Sequence, residues 1–126
     1  DTAESALVAA IAEMRDGRTL GDIGAAIESV VTAAGYGSPH DYCGHGIGEA
    51  MHEEPDVENR GRRGRGLPLR PGVVLAIEPM LLAGGSDDVM ELSDGWTVVT
   101  ADGSLAAHVE HTVLVGERGP EVLTRL

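Results

Sequence analysis

The feature that most constrains this chain is a change of hydrophobic period near Gly37. Before it, apolar residues recur at helical spacing: Leu7, Ala10, Ile11 and Met14 form one stripe, and Ile23, Ile27, Val30, Val31 and Ala34 form a second. Thr2 is the expected N-cap of the first helix, Asp16-Gly17-Arg18 the break between the two, and Gly35 the stop of the second. Beyond Gly37 the pattern is strand-like at residues 73–77, 89–92, 96–100, 105–115 and 122–124. Ala101-Asp102-Gly103-Ser104 reads as a hairpin turn, so residues 96–100 and 105–115 are expected to pair antiparallel. Residues 59–66, rich in Gly and Arg, read as an exposed loop. Helices confined to the start and strands thereafter predict an α+β fold.

A length of 126 residues suits one domain spanning residues 1–126, and 42% apolar composition suffices for a core. The net charge of −12, with nine arginines and no lysine, argues against general binding to nucleic acid or anionic membranes. No stretch approaches the roughly 20 apolar residues of a membrane span, and the first residues lack the basic start of a secretory signal. A cytoplasmic protein is the expectation. The single cysteine, Cys43, cannot form an internal disulfide, which agrees with a reducing compartment.

Chemistry-bearing residues are densest in Tyr42-Cys43-Gly44-His45-Gly46-Ile47-Gly48, followed by Met51-His52-Glu53-Glu54-Pro55. Three glycines around one histidine are costly in a core strand and suggest backbone approaching a metal or substrate. His52 lacks a second histidine four residues on, because position 56 is Asp, so the zinc-helix motif is excluded. It bonds either a substrate carbonyl or the backbone. Glu53 and Glu54 read as solvated charges near a turn. Glu78 ends an apolar run just before Pro79, and a buried carboxylate there requires a metal or an arginine partner. In residues 105–115, alternation places His108, Glu110, Thr112 and Leu114 on one face and Val109, His111, Val113 and Val115 on the other. Imidazole with hard oxygen donors suits a small divalent ion such as manganese, iron, cobalt or zinc.

Taken together, YCGHGIG, HEEP, the Pro71-Gly72 turn leading to Ile77-Glu78-Pro79-Met80, DGWTVVTADGS and VEHTVLV resemble the type I methionine aminopeptidases in order and approximate spacing. Met51 and Arg60 depart from that pattern, Met51 standing where an aromatic residue is common and Arg60 where an aromatic or other uncharged residue is usual. The resemblance implies the C-terminal half of a pita-bread fold, two N-terminal helices packed on an antiparallel β-sheet, joined in the family to a pseudosymmetric first half. It implies hydrolytic removal of the N-terminal methionine of nascent polypeptides at a site with two divalent ions (cobalt, manganese, iron or zinc), of which this chain supplies only part. By resemblance His45, Glu78 and Glu110 are metal ligands, with Glu110 bridging both ions and Glu78 also the general base. His52 contacts the scissile amide and helps stabilise the tetrahedral intermediate. Cys43 and Trp96 lie near the methionine side-chain pocket, although an inert buried thiol is an equal reading of Cys43. The two aspartate ligands and another catalytic histidine belong to the first half.

Two further readings stand beside this one: a noncatalytic pita-bread binding module or inactive remnant, and a relative cleaving Xaa-Pro dipeptides, which CGHGIG and DGWTVVTADGS fit less well. Five arginines, Arg60, Arg62, Arg63, Arg65 and Arg70, fall in one glycine-rich segment. For an enzyme that meets chains leaving the ribosome, a contact with ribosomal RNA phosphate is the expectation there, against the plainer reading of a solvated loop.

Overall fold

The structure, a computed structural model, describes residues 1–125. Helices α1 (Thr2–Ala12) and α2 (Leu20–Ala33) open the chain as the two stripes predict. The N-cap of α1 is Asp1 and not Thr2: the Asp1 backbone nitrogen donates to Glu4 Oε2 at 3.0 Å, so the acidic pair draws the helix start one residue earlier. Helix α2 is capped by Thr19 and followed by a left-handed Gly35 with φ of 75°. There the Gly35 and Tyr36 amides donate to the carbonyls of Thr32 and Val31, closing the last turn.

Nine strands follow: β1 (Gly44–Gly46), β2 (Glu53–Val57), β3 (Val74–Ile77), β4 (Met80–Leu82), β5 (Val89–Glu91), β6 (Val98–Thr100), β7 (Ala106–His108), β8 (His111–Gly116) and β9 (Gly119–Val122). Strands β2-β1-β3-β8-β9 form one antiparallel sheet, and β4 pairs with β7 and β5 with β6. Met14, Ile23, Ile27 and Val31 of the helical layer interlock with Leu75, Ile77, Val113 and Val115 of the sheet, all of them buried. Each such side chain removed from water stabilises the fold by about 1.5–3 kcal/mol.

Three sequence expectations are corrected here. Residues 96–100 and 105–115 do not pair with each other: β6 turns back onto β5 and β7 lies against β4. The decisive local signal is Asp94-Gly95, whose Asp94 carboxylate accepts from the Trp96 and Thr97 amides and closes the β5–β6 hairpin. Residues 105–115 are not one strand either. Glu78 and Pro79 separate β3 from β4, and Val109 and Glu110 separate β7 from β8, yet the β3–β8 and β4–β7 ladders continue a single register. Pro79 offers no amide, so one bond, from the Val109 amide to the Pro79 carbonyl, carries the chain across the gap. Residues 59–66 are exposed only in part, because the loop lies on α2. A side chain at Gly24 would strike the carbonyls of Arg60 and Glu58, and Asn59 is buried.

Candidate metal centre

The shared register sets the site. Extending the β3–β8 pairing by one step places Glu78 directly opposite Glu110, and the alternation that puts Glu78 on one face brings His108 to its diagonal. Strand β1 pairs with the other edge of β3, His45 opposite Ala76, so the imidazole falls on that same face. The result is a cluster in which ligand atoms of His45, Glu78 and Glu110 all lie within 4.8 Å of one another. The glycines flanking His45 have a different cause from the one expected. A side chain at Gly44 would meet the Ala76 carbonyl of β3, and one at Gly46 the Glu54 carbonyl of β2. Glycine lets β1 sit between two close backbones, and that fixes the histidine.

His45 Nδ1 lies 2.8 Å from the Gly46 carbonyl and donates to it, which turns the Nε2 lone pair toward Glu78 Oε1 at 3.0 Å. A His45 Nε2 facing a carboxylate oxygen, beside a second carboxylate directly across the ladder, is satisfied by a proton or by a metal ion between them. The separation also suits donors sharing one ion at the usual distances of about 2.0–2.2 Å. Glu78 is buried, and burial followed by the charge of Glu110 pushes its carboxyl above the usual range, against the opposing pull of His45 and His108. No arginine pairs with it among the described residues. Its Oε2 instead meets His108 Nε2 at 3.3 Å. Sequence alternation placed His108 beside Glu110 without assigning it a role, and the strand break that aims it at Glu78 was the missing signal.

His45 and Glu78 of the cluster line an open cavity of about 600 Å³ together with Tyr42, Cys43, His52 and Met80, with Asp41, Glu53, Glu54 and Asp56 around it. The His52 ring is tilted against that of His45, centroids 4.3 Å apart, and stands exposed at the mouth. Cys43 is half-buried in the wall; burial and the charges of Glu58 and Asp56 push its thiol up. Trp96 is elsewhere, 88% exposed near the β5–β6 turn, and does not line this cavity. Of the expected residues the fold therefore gathers His45, Glu78, Glu110, His52 and Cys43, and leaves Trp96 apart.

With this geometry the chain can be set beside known proteins, and the model of metallopeptidase family M24 matches residues 1–117. The chain belongs to family M24. It is 46% identical over 124 residues to methionine aminopeptidase B of Synechocystis sp., covering 98% of this chain and 45% of that protein. It is 55% identical over 108 residues to a methionine aminopeptidase of Clostridium acetobutylicum, covering 86% of this chain and 43% of that one. The crystal structure of methionine aminopeptidase from Rickettsia prowazekii superposes with a TM-score of 0.94 at 42% identity, over 98% of this chain and 50% of that one. The helices on an antiparallel sheet are thus half of the pita-bread arrangement, and this M24 chain spans about half the length of the relatives it matches. No helix among the described residues is long and apolar enough to cross a membrane.

The arginine-rich segment is largely engaged with the chain itself. Arg60 pairs with Asp87 at 2.8 Å and donates to the Ser38 carbonyl, Arg63 pairs with Glu13 and Arg70 with Asp16. Arg62 and Arg65 are exposed.

Proposed function

We propose that this chain carries half of the active site of a metal-dependent methionine aminopeptidase, which removes the N-terminal methionine of nascent polypeptides once the other half of the fold is supplied. The observation that carries the reading is the trio of His45, Glu78 and Glu110 within 4.8 Å in an M24 chain. These three would hold a divalent ion, and an ion bound there would supply Lewis acidity toward the scissile carbonyl and a lowered pKa for attacking water. Glu78, facing the same cluster, would accept the proton of that water as general base. His52 donates to the substrate carbonyl from the cavity mouth and stabilises the charge that develops there. The acidic wall of Asp41, Glu53, Glu54 and Asp56 draws the cationic free amine of a peptide toward the site. Cys43 contributes to the slot for the methionine side chain, whereas Trp96, the other residue expected there, lies outside this cavity.

The test is a chimera in which this chain follows the first half of the Clostridium acetobutylicum relative. Metal-dependent release of methionine from Met-Ala-Ser, little action on Ala-Pro, and none by the 126-residue chain alone are expected. A folded, metal-loaded chimera that leaves Met-Ala-Ser intact would favour the noncatalytic module. Preference for Ala-Pro would favour the dipeptidase relative.

The proposed ribosome contact narrows to Arg62 and Arg65, because Arg60, Arg63 and Arg70 already face carboxylates. Co-sedimentation with ribosomes at low salt is expected to fall when these two become serine and to vanish for both forms at raised salt. Equal low-salt binding by both forms would sink the idea.

A further inference from the structure

We propose that His108 is a positioning residue for Glu78. This rests on the ion-holding role given to Glu78 above. The two oxygens of that carboxylate face two imidazoles: His45 Nε2 at 3.0 Å from Oε1, and His108 Nε2 at 3.3 Å from Oε2. The imidazoles have different duties. His45 has its Nδ1 on the Gly46 carbonyl, so only Nε2 is left to face Oε1, and in the ion-holding reading these two atoms would share the cation. His108 stands outside the tight trio of ligand atoms and is about half exposed, so its Nε2–H tautomer serves as a donor that ties down Oε2 and leaves Oε1 to the ion.

The backbone explains why a tether is needed at this point. Glu78 and Pro79 lie in the gap between β3 and β4, where the ladder bonds stop, and the residues facing them, Val109 and Glu110, lie in the matching gap between β7 and β8. The main chain around Glu78 is held by the Val109 amide on the Pro79 carbonyl and the Asn59 side-chain amide on the Glu78 carbonyl at 2.9 Å. Neither bond touches the carboxylate. His108 is the last residue of β7, paired with Met80, and from that ordered position it reaches diagonally to Oε2.

The experiment is calorimetric titration of the 126-residue chain with cobalt(II) chloride, comparing the parent with His108→Leu, His108→Gln and His45→Ala, with circular dichroism on each to establish folding. His108→Leu is expected to weaken binding about 10–100-fold, the usual effect of losing a partner that orients a ligand. His108→Gln is expected to keep most of the parent affinity, because its amide N–H reaches Oε2, whereas a packing role would not be restored by an amide. His45→Ala should lose the ion. Parent-like binding by His108→Leu, alongside loss in His45→Ala, would overturn the positioning role and leave the metal reading intact. So would a folded His108→Gln as weak as His108→Leu. Absence of binding by the parent chain at millimolar cobalt would overturn both.

Discussion

Asp22 and Glu78 are both carboxylates buried by the same small fold, and their surroundings treat them in opposite ways. Burial alone pushes Asp22 up, but the Thr19 and Gly64 amides, the Thr19 hydroxyl and the Arg18 charge together outweigh it, and the group sits below its ordinary 3.8. Glu78 has no amide donors to its carboxylate among the described residues. It faces a second carboxylate across the ladder and two imidazoles, and it sits above its ordinary 4.5. The same burial thus yields a structural anion at a helix start and a group at the sheet gap that is satisfied by a proton or a metal. A supply of backbone donors marks a carboxylate that serves the fold. Their absence marks one kept for chemistry.

The sharpest way to break this comparison is to neutralise each carboxylate without changing its size. Asp22→Asn loses charge-assisted bonds to two amides and turns an NH2 group toward at least one N–H, so chelator-treated protein should lose about 2–3 kcal/mol in urea unfolding. Glu78→Gln should gain about 1 kcal/mol under the same conditions. It removes a buried charge facing Glu110, while its amide can donate to His45 Nε2 and accept from His108. Equal losses in the two variants would show that Glu78 is as well satisfied as Asp22, and would remove the electrostatic argument for an ion.

A smaller effect, of opposite sign at the two sites, is expected in pH dependence. The raised pKa of Glu78 means that the metal-free fold binds its proton more tightly than the unfolded chain does. Its contribution to stability therefore grows as pH falls through the folded pKa toward 4.5 and is flat below. The lowered pKa of Asp22 gives stability that is complete above 3.8 and is lost as pH falls through the folded value. Urea midpoints in chelator should accordingly rise from neutral pH to a maximum between these windows and then drop. Glu78→Gln should flatten the upper limb, and Asp22→Asn should make the lower limb shallower without removing it, because the lowered carboxyls of Asp87, Asp94 and Asp102 contribute there as well. Saturating cobalt should reverse the upper limb, since the ion competes with the proton for the same carboxylate. An upper limb unchanged by Glu78→Gln would assign that titration to another group.

The two sites were unequally legible in the sequence, for physical reasons. Period alone located both helices and most strands, because the faces of Ile23, Ile27 and Val31, or of Val113 and Val115, must be buried whatever lies opposite. It could not choose partners for strands of three residues, and so Asp94-Gly95 was overlooked in favour of the turn at residues 101–104. Glu78 stood out because it ends an apolar run, and alternation put His108 and Glu110 on one face. The diagonal from His108 to Glu78 required the register, which depends on Pro79 withholding an amide. Asp22 gave no signal beyond that of a polar residue in a first helical turn, since its second partner, Gly64, is 42 residues away in the chain.

The smallest effect concerns whether the two regions are independent, and it tests the comparison itself. They share a physical link: the loop that follows β2 bonds Asn59 to the Glu78 carbonyl at one end and the Gly64 amide to Asp22 at the other. If that loop transmitted strain, the double variant Asp22→Asn, Glu78→Gln would depart from the sum of the singles. Additivity within about 0.5 kcal/mol is expected instead. Between the two ends the loop is pinned separately to α2 through the Gly61 amide on Glu28, and just past Gly64 the Gly21 amide holds the Arg65 carbonyl. At the Glu78 end the bond reaches the main-chain carbonyl and not the carboxylate that is changed. Loosening Asp22 therefore frees Gly64 without moving Asn59. A coupling above about 1 kcal/mol in the urea-unfolding cycle would mean that the helix cap and the metal face form one cooperative unit, with the donors of Asp22 also holding Glu78 in place.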